Sequence, residues 1–218
     1  MHLTHFKLYA RHGVPDSIIL DVLNALRSAP LEVLVLEGIA QGSLATVDRI
    51  AEHFPNLLGL TLMRREDERQ HENKLATLPH FSWQYASRFS AFRRLQHFGW
   101  NFQINDLECT PCSVIACKEG LFAYTSTFEG VYNVEESTRD NHDCLALPFA
   151  TYCPTLQTFV IICHSKPPEA RRISRRSNGA TKIERPTESP FAWNPWNILD
   201  KWNLFHWTLG WPTIIPPN

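Results

Sequence analysis

Cys109-x-x-Cys112, followed by Cys117, His142 and Cys144, is the constellation in this sequence best suited to chemistry. Two thiolates two residues apart form a common half of a tetrahedral zinc site, and His142 with Cys144 would complete it. No second Cys-x-x-Cys or His-x-x-x-His accompanies the pair. Cys144, Cys153 and Cys163 lie in or beside apolar runs, where a free thiol packs as a small hydrophobe. The packing reading outweighs the metal reading, so no metal and no cofactor is expected. A zinc-binding protein built on the segment from Cys109 to Cys144 stands as the alternative.

Hydrolysis needs a nucleophile beside a base, or paired carboxylates in a cleft. The ten histidines are scattered, and none forms a recognised pattern with a serine or an aspartate. Gly38-x-x-x-Gly42 has no Lys-Ser/Thr after it, so it is not a phosphate loop. The sequence predicts a protein that is not an enzyme.

Arg171-Arg172-Ile173-Ser174-Arg175-Arg176 is a second candidate, for nucleic acid. It lies between Pro167-Pro168 and Ser177-Asn178-Gly179, with no interleaved aromatic residues for base stacking. A flexible basic/polar loop over 166–190 is the expectation, and nucleic-acid binding through Arg171 to Arg176 is disfavoured. From Asn194-Pro195 onward, Trp196, Leu199 and Trp202 form one apolar stripe on a capped helix. Residues 191–218 are expected to close the C-terminal end of the fold rather than to lie on a membrane, since the stripe lacks a basic polar face.

Composition sets the frame for these candidates. Of 218 residues, 44% are hydrophobic and 20% charged, enough for a packed core, and the formal net charge of -1 steers the chain toward no polyanion. The start Met1-His2-Leu3-Thr4-His5-Phe6-Lys7 lacks the pattern of a signal peptide, and no run is apolar for long enough to span a bilayer. Without an Asn-x-Ser/Thr site either, the six cysteines are expected to be reduced thiols in an intracellular protein, cytoplasmic or nuclear.

The elements that position these residues follow from an internal repeat. Large apolar residues recur at offsets 0, 3 and 5 in Leu3/Phe6/Leu8, Leu31/Leu34/Leu36, Leu57/Leu60/Leu62, Leu95/Phe98/Trp100 and Leu156/Phe159/Ile161. The repeat starts lie 28, 26, 38 and 61 residues apart, the last spacing holding an insertion at about 103–141. Pro30, Pro55 and Pro154 stand just before three of the predicted strands, where proline ends a preceding helix. Offsets 3 and 5 share one face of a strand because side chains alternate with period two. Between the strands, Ile18 to Leu26, Val47 to Phe54 and Trp83 to Phe92 carry apolar residues at helical spacing, with Asp16 and Ser43 as candidate N-caps. The fold class expected over 1–165 is α/β, a leucine-rich-repeat-like solenoid with a curved parallel sheet and helices on the convex side. An ordinary doubly wound domain is the alternative.

Leu31-Glu32-Val33-Leu34-Val35-Leu36, Ile50-Ala51-Glu52-His53-Phe54-Pro55-Asn56-Leu57, Phe92-Arg93-Arg94-Leu95-Gln96-His97-Phe98 and Phe149-Ala150-Thr151-Tyr152-Cys153-Pro154-Thr155-Leu156 resemble the repeat region of fungal F-box-like leucine-rich-repeat proteins. The resemblance implies capture of a protein substrate by the repeats, with docking on a ubiquitin ligase core through an F-box. No F-box-like helical module precedes Leu3. The expectation is therefore a fragment, a truncated gene product or a degenerate paralogue, with the ligase role reserved for a chain that has an F-box upstream.

The residues beside the inward pair are predicted to line the concave surface that takes a protein partner. They are His5, Lys7 and Tyr9; Val33, Val35 and Glu37; Thr61 and Met63; His97 and Asn101; and Thr158 and Val160. Apolar or small residues hold the middle of this patch and charged groups its edges, which suits a protein interface. The sequence from Arg64 to Arg69 is expected to be a solvated mixed-charge loop.

Overall fold

The computed structural model describes residues 3–65, 80, 82–101, 145–161, 169–177 and 181–184. Short apolar segments flanked by proline and glycine form seven strands in one sheet: β1 (His5–Val14), β2 (Val33–Ile39), β3 (Gly59–Arg64), β4 (His97–Trp100), β5 (Thr158–Ile161), β6 (Glu169–Arg175) and β7 (Thr181–Glu184). They lie side by side in chain order; the first five run parallel, and β5, β6 and β7 pair antiparallel. Helices α1 (Asp16–Leu26), α2 (Leu44–His53), α3 (Ser82–Arg88) and α4 (residues 145–152), with a 3-10 turn at Phe89–Ala91, connect or precede the strands.

The repeat offsets are the register of the sheet. Phe6, Leu34, Leu60, Phe98 and Phe159 are paired in sequence across five strands, and Leu8, Leu36, Leu62, Trp100 and Ile161 form the next row. From the second strand on, both rows belong to one buried cluster, and Phe6 and Leu8 pack partly buried against it. Ile19 and Leu23 of α1, Val47, Ile50 and Ala51 of α2, Tyr85 and Ala86 of α3, and Leu145, Ala146, Phe149 and Ala150 of α4 enter the same cluster. The helices therefore pack on a single face of the sheet, the arrangement that parallel strands in chain order require when every crossover has the same hand.

The strand entrances repeat as well. The carbonyl of Thr4 accepts the amides of Glu32 and Val33, that of Glu32 accepts Leu58 and Gly59, that of Leu58 accepts Gln96 and His97, and that of Gln96 accepts Gln157 and Thr158. One bifurcated acceptor per strand thus carries the stack forward across loops of different length.

Two sequence expectations change. Asp16 is not an N-cap of its own helix, whose cap position is Pro15. Its carboxylate reaches the next repeat instead, accepting the amides of Gly42 at 3.1 Å and Ser43 at 2.9 Å and the Thr46 hydroxyl at 3.2 Å. Ser43 is the N-cap of α2, as its sequence position predicts. The loop expected over 166–190 contains strands β6 and β7. The charge run concealed a strand because alternate residues turn toward the helices: Ile173 joins the core, Arg171 is buried, and the Arg175 guanidinium donates to the carbonyls of Ala150, Cys153 and Leu156. A cation at the end of α4 meets the negative pole of the helix and satisfies carbonyls that the helix cannot. The insertion at about 103–141 and the Trp-rich segment 191–218 lie outside the described residues.

Candidate partner-binding surface

The sheet has a second face, opposite the helices, and its rows follow from the same register. His5, Val33, Gly59, His97 and Thr158 form the first row; Lys7, Val35, Thr61, Gly99 and Val160 the second; Tyr9, Glu37 and Met63 the third. The residues predicted to line one surface are brought together, with Asn101 just past the end of β4.

The expectation of an open surface needs correction. Val33, Val35, Thr61, His97, Asn101 and Val160 are buried, with Thr61 and Val160 at 0% exposure, although none of them belongs to the core cluster. Four apolar residues in succession, Val33-Leu34-Val35-Leu36, are the pattern of a strand buried on both faces rather than on one. His97 lies in this closed centre with neither ring nitrogen bonded among the described residues, and burial lowers its pKa from 6.5 to about 4. Asn101 is a strand-end clamp: its Oδ1 accepts the Arg64 amide at 2.6 Å and its Nδ2 donates to the Arg64 carbonyl at 2.7 Å. A short amide that binds both backbone groups of one residue fixes the end of the strand.

Solvent reaches the face at its β1 side. Tyr9 is 60% exposed, while His5, Lys7 and Met63 are half-buried; Thr158, also half-buried, lies on β5, away from this side. The Tyr9 ring is held by two cations, with Arg65 at 5.2 Å and Lys7 at 5.9 Å from its centroid. Both cations also bind the buried carboxylate of Glu37, Lys7 at 3.1 Å and Arg65 in a closer ion pair. Glu37 is tolerated in a buried strand because its charge is matched twice. Arg65 is positioned by its own amide, which donates to the Ile39 carbonyl at 3.0 Å. The sequence expectation assigned Arg65 to a solvated loop. The signal it missed is Glu37 itself, a carboxylate among apolar strand residues that needs a nearby cation.

Close backbone contacts shape this corner. Between the pairs Tyr9↔Glu37 and Val14↔Ile39, β1 carries four residues where β2 carries one. Gly38 accommodates the bulge at φ 114°, and a Cβ there would lie 2.7 Å from the Ala10 carbonyl oxygen.

The comparisons with known proteins identify nothing. No family model, no curated protein and no solved structure matches the chain.

Chemical candidates find little footing among the described residues. They contain no group of three metal-ligating side chains. Cys153 is buried against the Leu95 carbonyl and Thr155, and burial pushes its thiol pKa up, the opposite of what a nucleophile or metal ligand needs. Cys109, Cys112, Cys117, His142 and Cys144, the residues of the zinc alternative, lie outside the described residues. Of the arginine run, Arg172, Arg175 and Arg176 are exposed, Arg171 is buried, and the Arg175 guanidinium is tied to backbone carbonyls as described above. No helix among the described residues is long and apolar enough to cross a membrane.

Proposed function

We propose that this chain is a non-enzymatic protein-interaction scaffold, a leucine-rich-repeat-like solenoid that grips a protein partner at the β1 side of its second face. The repeat reading is supported by five parallel strands in chain order, offsets that coincide with register, and one shared acceptor per strand entrance. The observation that carries the interaction reading is Tyr9, a largely exposed aromatic pinned between Lys7 and Arg65 over a neutralised carboxylate. Tyrosine and arginine held in a fixed geometry are the side chains that dominate interface energies, because little conformational entropy is lost when a partner docks. Following the resemblance to fungal F-box-like repeats, the partner is a substrate for a ubiquitin ligase core that an upstream F-box would recruit.

Affinity capture with the full chain tests this, each partner's apparent affinity being measured for wild type, Tyr9→Ser and Tyr152→Ser. Tyr152 is an exposed tyrosine on α4, away from the proposed corner. Loss of at least about tenfold is expected for Tyr9→Ser, the scale of an interface anchor. Tyr152→Ser should bind as wild type. Equal binding by Tyr9→Ser, or a loss confined to Tyr152→Ser, rejects the proposed surface.

A further inference from the structure

Strand β1 ends the sheet: among the described residues it pairs with β2 alone. The Thr4 carbonyl accepts the Val33 amide and so faces β2. Backbone groups alternate sides along a strand, so those of Lys7 and Tyr9 turn to the outer edge. The core is unfinished on the same side. Leu3 is 43% and Ile18 51% exposed, and Phe6, Leu8, Leu20 and Leu26 are only partly buried, whereas their counterparts on β2 to β5 are enclosed. The charge of the edge has one sign. The ten residues of β1 include Lys7 and Arg11 and no acid, and Arg65 adds a further cation, while the one carboxylate among them, Glu37, is already paired.

We propose that this edge captures an extended acidic segment of the partner as an added strand, an inference that rests on the scaffold reading. Apolar side chains on one face of the segment would cover Phe6 and Leu8 and continue the core rows. Aspartate or glutamate on the other face would meet Lys7, Arg11 and Arg65. An edge strand offers main-chain hydrogen bonds to any sequence, and the alternate side chains then select among sequences. A second copy of this chain is a poor occupant, since pairing β1 with β1 would bring Lys7 and Arg11 against their own copies.

The test uses the full chain and dye-labelled octapeptides held below their own association threshold, read by fluorescence anisotropy. One peptide alternates valine with glutamate, a second alternates valine with lysine, and a third is the glutamate peptide N-methylated on alternate residues. The glutamate peptide is expected to bind and to weaken with added salt. Arg11→Glu should lower its affinity about tenfold, as loss and reversal of a facing charge does. The N-methylated peptide, with its hydrogen-bond donors removed, should not bind. Equal binding of the lysine peptide, equal binding of the N-methylated one, or no binding at all overturns the inference. Concentration-dependent dimers in sedimentation that Arg11→Glu strengthens, as relief of the like-charge contact between copies would, also overturn it, by giving the edge to a second copy. If the peptides fail while Tyr9→Ser still loses its captured partner, the edge inference falls and the scaffold reading stands.

Discussion

The two sides of the sheet are built from the same repeat with different materials. Around β4 and β5 the core is aromatic: Phe89, Phe98, Trp100, Phe149 and Phe159 meet with ring centroids 4.5 to 6.0 Å apart, mostly edge to face. All five are buried. At β1 the equivalent positions are Phe6 and Leu8, partly buried, beneath a surface of cations and one exposed tyrosine. Large rings bury the most area per residue and add a geometric preference to it. The aromatic half thus anchors the fold, and the β1 half is left with apolar and hydrogen-bonding capacity that no described neighbour uses.

Truncation of the central ring should break this contrast most severely. Phe98→Ala is expected to destabilise by about 3–5 kcal/mol, and Phe6→Ala by well under half of that, because a half-buried ring leaves a smaller cavity and less transfer energy to lose. Urea midpoints at constant m-value measure both, and comparable losses would show that β1 is as firmly anchored as β4. His97 sharpens the same point through pH. The unfolded imidazole takes up a proton below its ordinary value of 6.5, while the folded one resists until about 4. Its contribution is therefore complete above pH 6.5 and declines as pH falls through that window, by at most ~1.4 kcal/mol per pH unit. His97→Leu should flatten this part of the stability profile, and an unchanged slope would mean that the imidazole is hydrated. The smallest of the three effects is expected at Asn101, where alanine leaves the Arg64 amide and carbonyl without their partner at a cost of about 1–3 kcal/mol. Amide exchange at Arg64 should accelerate with it; a wild-type rate would show that the clamp is dispensable.

Much of the sheet is legible in the order of residues. Leu34, Leu60, Phe98 and Phe159 are recognisable as equivalent from their offsets, and the register pairs them. Helix α2 is similarly legible from Ser43 and the spacing of Val47, Ile50 and Ala51. The candidate surface is less so. Period two identifies which residues share a face, but not whether anything lies over that face. Val33, Val35 and Val160 looked available only because the strand was assumed to have one wet side. The arginine run misled for a related reason: local charge density suggests solvent, yet Arg171, Ile173 and Arg175 alternate onto the helix-bearing face.

Sequence alone therefore determined which side chains stand together on each strand, because alternation is a property of backbone geometry within a few residues. Tertiary structure decided which of them meet water and which meet each other. Glu37 of β2 finds Lys7 of β1 and Arg65 just past β3, Arg175 finds three carbonyls at and beyond the end of α4, and His97 is buried although it lies on the face opposite the helices. Burial and charge pairing are sums over neighbours brought in by folding, and no local pattern holds that information.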